Sequence, residues 1–321
     1  MLFLFVVFVE NGLIKMVLEA IVQEKEFLKH PIYAFVESII LVSASIFLSA
    51  LVFPEHASIL TIAFISIGLI PMIRSVLIST EEDECKKPGS SFTFLERHSD
   101  VIKVFGWFFI GLIITFSAWY VILPQTVDAD SFIPSRQMVF GEQEKTIGAI
   151  TQFKQSVIQQ QAIEPVRPTG KAIGATTNCG KDFFCWFNVI FMNNATLLGL
   201  AILLSLAYSV GAIFLVVWNA SILATIIGTD ALSLTQSLGA VGGYATSLYN
   251  ALGFLPHGIP EFLAYFIGAI AGAILSLAIT SQKYREHGFE TIAKDTLILI
   301  ILAYVLLLIG ALIEAATIVM V

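Results

Sequence analysis

Residues 258–280 read GIPEFLAYFIGAIAGAILSLAIT. The stretch holds one acid, Glu261, and no Lys or Arg. It is long enough for a helix to cross the hydrocarbon core of a bilayer, which takes about 20 apolar residues. Comparable runs occupy 35–53, 57–78, 104–124, 191–218 and 295–320. Composition agrees across all 321 residues: 57% are apolar and 13% charged, against about 45–50% and about 25% in soluble domains. Disorder is excluded, because it needs low hydrophobicity and high net charge. Three Cys are too few for a disulfide scaffold. A net charge of −7 without a basic stripe argues against nucleic acid as a partner. The expected fold is an all-α polytopic transmembrane helix bundle, with the lipid bilayer as its first partner.

The basic residues orient it. All 17 lie outside or at the rims of the apolar runs. Short loops rich in Lys and Arg stay cytoplasmic, whereas long loops follow that rule poorly. The N-terminus, residues 79–103 and residues 281–294 are therefore placed inside, at the cell membrane. The Pro54-Glu55-His56 turn and the long segment 125–190 are placed outside. Parity then requires residues 219–256 to carry the chain back across, although they contain Asn219, Asp230, Gln236, Gly239, Gly242 and Gly243. Irregular polar backbone at membrane depth is tolerated only where protein or a water-filled cavity surrounds it. A broken helix packed inside the bundle gives about seven spans; a re-entrant loop with six crossings is the alternative.

The regions so divided are an N-terminal interfacial helix over 1–33, a hairpin and cytoplasmic loop over 34–103, and a third span over 104–124. An extracytoplasmic segment (125–190) and a C-terminal core (191–321) follow. The first carries Leu18, Ile21, Val22 and Phe27 on its apolar side, and Met16 is a second candidate start. In the external segment Ile147, Ile150, Phe153 and Val157 recur at helical spacing, so 140–161 reads as an amphipathic helix ended by Pro165 and Pro168. It could pack on its own bundle or on a partner. Cys179 and Cys185 both lie outside in this topology and are expected to pair, bracing the start of the next span. Cys85 is expected inside, as a free thiol beside the charged run Glu81–Lys87.

Ionisable groups within spans are costly and are functional hypotheses by default. Glu314 lies 20 residues past Lys294, roughly 30 Å along a helix and thus near the outer face. His257 and Glu261 open the 258–280 span at that face, four residues apart on one side of the helix. Asn193 and Asn194 open the 191–218 span there as well. These five residues are expected to converge. They could form a hydrogen-bonded clamp, a ligand, lipid or ion site, or a catalytic site. His257 and Glu261 supply only two metal ligands where a catalytic zinc usually has three, so no metal and no cofactor is expected. The small-residue spacing Gly268-Ala-Ile-Ala-Gly272 permits close helix approach, within the chain or in a homo-oligomer. Gly199 and Gly211 are assigned the same use.

Three segments resemble, in order and spacing, the motifs of the stage II sporulation protein M family of integral membrane proteins. They are Phe191-Met-Asn-Asn194, Trp218-Asn-Ala-Ser221 and His257-Gly-Ile-Pro-Glu261. The similarity covers about 104–320. The added hairpin at 35–78 and the Leu123-Pro124 exit resemble the family's longer, archaeal branch, while Asn219-Ala220 departs from the Asn-Gly common in bacterial members. In spore-forming bacteria such proteins are thought of as scaffolds for cell-wall hydrolases. The resemblance implies a non-enzymatic scaffold or assembly factor with an unidentified protein partner. Two alternatives are a transporter or lipid-handling protein using 219–256, and a membrane-embedded hydrolase.

Overall fold

In the computed structural model of the chain, the described residues are 8–10, 13–15, 30–70, 92–128, 131–159, 179–208, 211–280 and 289–320. Cys85, the run Glu81–Lys87, Pro165, Pro168 and the side Leu18, Ile21, Val22 and Phe27 lie outside them. The helices are α1 (Ile32–Val52), α2 (Pro54–Ile70), α3 (Phe92–Ile122) and α4 (Arg136–Gln159). They continue as α5 (Phe183–Tyr208), α6 (Ile213–Ala251), α7 (Leu255–Thr280) and α8 (Phe289–Met320). Among the described residues, five stretches are long and apolar enough to cross a membrane: α1, Lys103–Ile122, Phe183–Ala207, Ile213–Ser276 and Ile292–Met320. The fourth contains both α6 and most of α7, and α2 is a shorter apolar helix. The all-α bundle is as expected.

The N-terminus differs. A single helix was expected over 1–33, but β1 (Phe8–Glu10) and β2 (Leu13–Lys15) pair antiparallel, with Phe8 opposite Lys15 and Glu10 opposite Leu13. The residues from Phe5 to Val9 are all aromatic or β-branched, types that favour strands. Between the strands the sequence is Asn11-Gly12, the dipeptide preferred in two-residue hairpins.

Contacts divide the chain into two units: residues 1–139 with 216–224, and residues 140–215 with 225–321. In the first unit α2 runs back along α1. The Ser49 and Thr61 hydroxyls meet at 2.6 Å near one end, and Gly68 backs onto Leu41 near the other. α3 runs parallel to α1. Phe35 meets Trp107 edge-on, and the Trp119 indole donates to Ser43 Oγ at 2.9 Å. Buried hydroxyls also bond their own helix, as Thr61 does to the Ala57 carbonyl at 2.7 Å. Such bonding leaves few polar groups unsatisfied away from water. Glu37, inside the first span, has a carboxylate oxygen with no hydrogen-bond partner among the described residues.

In the second unit Asp182 caps α5. Its Oδ1 accepts from the backbone N–H groups of Phe184 (2.9 Å) and Cys185 (3.2 Å). α5 and α7 run parallel, with Asn194 beside Glu261, Leu198 and Ile202 beside Gly268, and Ile202 and Ser205 beside Gly272. α8 runs against both: Gly310 lies on Glu261, Tyr304 faces Gly199, and Ala311 and Ala315 pack with Trp186 and Ile190. Two parallel helices separated by one connection require that connection to return the chain to its starting end. α6 does this. Its first arm, residues 213–238, is roughly 39 Å long, more than a hydrocarbon core of about 30 Å.

Two boundaries shift. The span expected over 191–218 is instead α5 (Phe183–Tyr208), and the chain turns before Ile213. Gly211 sits against the Leu204 carbonyl in that turn, so it serves chain reversal rather than helix–helix packing. Apolar residues continue through 213–217, so composition alone runs across the turn. The broken helix expected over 219–256 does break, at Gly239, with φ 72° and ψ 168°. Side chains rarely adopt that backbone geometry, and glycine accepts it freely. Its arms then pair with each other. Ser247 donates to the Ile227 carbonyl at 2.6 Å, and Gly243 backs onto the Ala231 carbonyl. Residues 236–241 at the tip are exposed, whereas Val217, Ala220, Ser221, Ala224 and Thr225 on the first arm are buried, so the break folds the segment into a self-paired helical hairpin whose first arm is packed.

Candidate functional site

The site forms where α5, α7 and α8 meet. Asn193 and Asn194, expected to open their span, lie instead about three turns into α5. Asn193 Nδ2 donates to Asn194 Oδ1 at 3.2 Å, and Asn194 Nδ2 donates to Glu261 Oε1 at 2.8 Å. Asn194 is buried and Asn193 exposed. One carboxylate on α7 is thus held by an amide on α5, and that amide is oriented by its own neighbour. The sequence Asn194-Ala-Thr196 has the form of a glycosylation acceptor, but this side chain is committed inside the bundle.

α8 completes the cluster from the other side. A Cβ at Gly310 would come 2.7 Å from Glu261 Cγ and 3.1 Å from the His257 carbonyl oxygen. The bare backbone there lets α8 close onto the Glu261 side chain. Glu314, one turn further along α8, is half-buried and within Coulombic range of Glu261. Tyr265 interacts electrostatically with both carboxyls. His257, Glu261 and Tyr265 follow one another at four-residue spacing, so they share a face of α7. That spacing is also the signal by which Tyr265 could have been found. Gly310 precedes Glu314 by the same interval.

Of the five residues expected to converge, Asn194 bonds Glu261 directly, Asn193 reaches it only through Asn194, and Glu314 lies within Coulombic range of it. His257 joins only through its backbone. Its imidazole packs edge-on against Phe254, ring centroids 6.1 Å apart, because the 3-10 turn Leu252–Phe254 places that ring beside the start of α7. Of the intramembrane polar pair, Asn219 is half-buried on α6. Asp230 accepts from Asn250 Nδ2 at 3.1 Å across the helical hairpin, a partner absent from the sequence reading. Of the packing glycines, Gly268 and Gly272 bring α5 and α7 into contact within one chain. Gly199 does not mark a close approach, since a Cβ there would meet only Tyr304 Oη at 3.8 Å. Among the described residues no three His, Cys, Asp or Glu side chains gather as a metal site.

Beside the cluster, Cys179 and Cys185 form the expected disulfide, with Cα atoms 5.2 Å apart. Cys179, Trp186, Ile190, Ala311 and Ala315 make one buried group, and the Trp186 indole donates to the Gly180 carbonyl at 2.9 Å. The bridge thus closes the loop that leads into α5, and Cys179 packs in one group with Ala311 and Ala315 near the end of α8. Intact mass measured without reductant should fall below that of the reduced chain by the two thiol hydrogens. Equal masses would exclude the pairing.

No curated protein and no solved structure is significantly similar to the chain. The family model described as Stage II sporulation protein M matches residues 104–317, two thirds of the sequence, including α5, α7, the hairpin and nearly all of α8. This multi-pass membrane protein belongs to the stage II sporulation protein M family.

Proposed function

We propose that the protein is a non-enzymatic membrane scaffold or assembly factor in which the polar cluster locks the helix core. One observation carries this reading: Glu261, in the His257-Gly-Ile-Pro-Glu261 motif, takes its hydrogen bond from Asn194 on α5 and lies against Gly310 on α8. Two motif residues are thus used to join helices. Asp230 is likewise bonded within its own hairpin. A fixed core would hold the start of α5 and the end of α8 in constant relative position for a protein partner.

The Glu261→Gln variant tests this. The amide keeps an oxygen for Asn194 to donate to, so stability should fall modestly. Glu261→Ala removes the acceptor and should cost about 0.6–2 kcal/mol, the range for interhelical hydrogen bonds in membranes. Partners co-purified from the source membrane should persist with Gln and diminish with Ala. If Gln leaves thermal stability unchanged yet abolishes a cellular phenotype, the carboxylate has a chemical role and the scaffold reading fails.

A further inference from the structure

The connection between α3 and α4 carries an apolar pair that the fold leaves uncovered. Phe132 is 80% exposed and Ile133 54%, and Ile122, at the end of α3, is 67% exposed. Arg136 sets their height. Its guanidinium donates to the carbonyls of Tyr120 and Leu123, and its backbone N–H donates to the Pro124 carbonyl at 2.7 Å. The far end of the connection is thereby tied to the last turn of α3, where the apolar stretch Lys103–Ile122 finishes. Phe132 and Ile133 sit four and three residues before that tie, so they lie close to the level at which α3 leaves the bilayer.

Both peptide groups of Ile133 are bonded locally, which suits an apolar surrounding. The Ser131 hydroxyl accepts from the Ile133 N–H at 3.2 Å and donates to the Ile133 carbonyl at 3.1 Å. Pro134 has no N–H to satisfy. A segment entering lipid must bond its own peptide groups, since no water is there to do so. The approach is polar: Asp128 is exposed, and its carbonyl receives the Ser131 N–H at 3.0 Å. Polar residues therefore lead up to the pair, and a capped helix leaves it, with Ser135 Oγ taking the Met138 N–H at 3.2 Å.

We propose that Phe132 and Ile133 are a wedge that inserts into the leaflet at which α3 ends, seating the α3–α4 corner on the boundary between acyl chains and headgroups. The occupant is lipid because the wedge is continuous with the apolar end of a spanning helix and is held at its height. This proposal is independent of the scaffold reading.

Nitroxide labels at Phe132→Cys, Ile133→Cys and Asp128→Cys test it. The Cys85→Ser background, with the Cys179–Cys185 bridge left oxidised, confines labelling to the introduced thiol. The full chain is placed in nanodiscs of phosphatidylcholine and phosphatidylglycerol. Power saturation is then compared with oxygen and with a water-soluble nickel chelate. Labels at 132 and 133 should be reached by oxygen and shielded from nickel, at a depth of about 5–10 Å, while the label at 128 should show the reverse. Nickel access at 132 equal to that at 128 would place the pair in water. Shielding from both reagents would mean that protein covers it. Either result overturns the proposal.

Discussion

Replacing Gly272 by valine is expected to force α5 and α7 apart and to lower the melting temperature of the purified protein more than any change in the polar cluster. A Cβ at this position would come 2.7 Å from the Ile202 carbonyl oxygen, 2.8 Å from Ser205 Cβ and 3.2 Å from the Leu206 backbone nitrogen. Two of these neighbours are backbone atoms, so rotation of a side chain cannot relieve the contact. Inserting carbon into a packed core typically costs about 1–3 kcal/mol, and more where a helix must move as a body. Helices in a bilayer gain no hydrophobic drive from association, so their close packing supplies the attraction that the insertion removes. The comparison is Gly106→Ala in α3, where nothing lies within 4 Å of the added Cβ. That change should be neutral or stabilise by up to about 1 kcal/mol. Melting of both variants in detergent, followed by tryptophan fluorescence, separates the outcomes. A Gly272→Val protein that melts with the parent would contradict the parallel α5–α7 contact.

The same contact shows which parts of the fold can be read from sequence. Long apolar runs and the positions of Lys and Arg lead to the spans and to their relative directions. The α1–α3 and α5–α7 pairs are parallel, as alternation through the bilayer requires. Hydropathy could not place the turn after Tyr208, because it averages side chains while the backbone reverses beside Gly211. The break in α6 was visible as glycines among polar residues. Which glycine carries the break depends on how the two arms pair, through Ser247 and Gly243, and no local pattern states that. At the N-terminus the Asn11-Gly12 signal was present, and the apolar run around it reads equally well as a helix.

The polar cluster was legible to the level of residues and no further. Four-residue spacing puts His257 and Glu261 on one face, and arc length puts Glu314 at the same height. Neither argument determines a rotamer. The imidazole of His257 goes to Phe254, while Glu261 turns to Asn194 and Gly310. Arg136 carries no local signal for a related reason. It is one of several basic residues in a long polar segment, and only the folded connection returns it to the end of α3.

Arg136→Ala is expected to be the most damaging single change in that connection. The last carbonyls of a helix have no intrahelical donor, and Leu123-Pro124 ends α3 abruptly, since the residue before a proline disfavours helical geometry. The Arg136 guanidinium covers that end. Nε donates to the Tyr120 carbonyl at 2.7 Å, Nη2 to the Leu123 carbonyl at 2.8 Å and Nη1 to Gln125 Oε1 at 2.8 Å. The cation also lies over the Tyr120 ring, 5.0 Å from its centroid, and at the negative end of the helix dipole. Hydrogen bonds from a charged group are worth about 1.5–3 kcal/mol each when buried. This side chain is only half-buried, so about 2–3 kcal/mol for the whole set is a reasonable expectation after solvent screening. Lysine keeps the charge but lacks the planar fork that reaches three acceptors at once. Arg136→Lys should therefore fall between the parent and Ala in thermal stability, and amide exchange at Leu123 should quicken in the same order. If Lys restored full stability, charge at the helix end would account for the effect, and the fork would not be what joins α3 to α4.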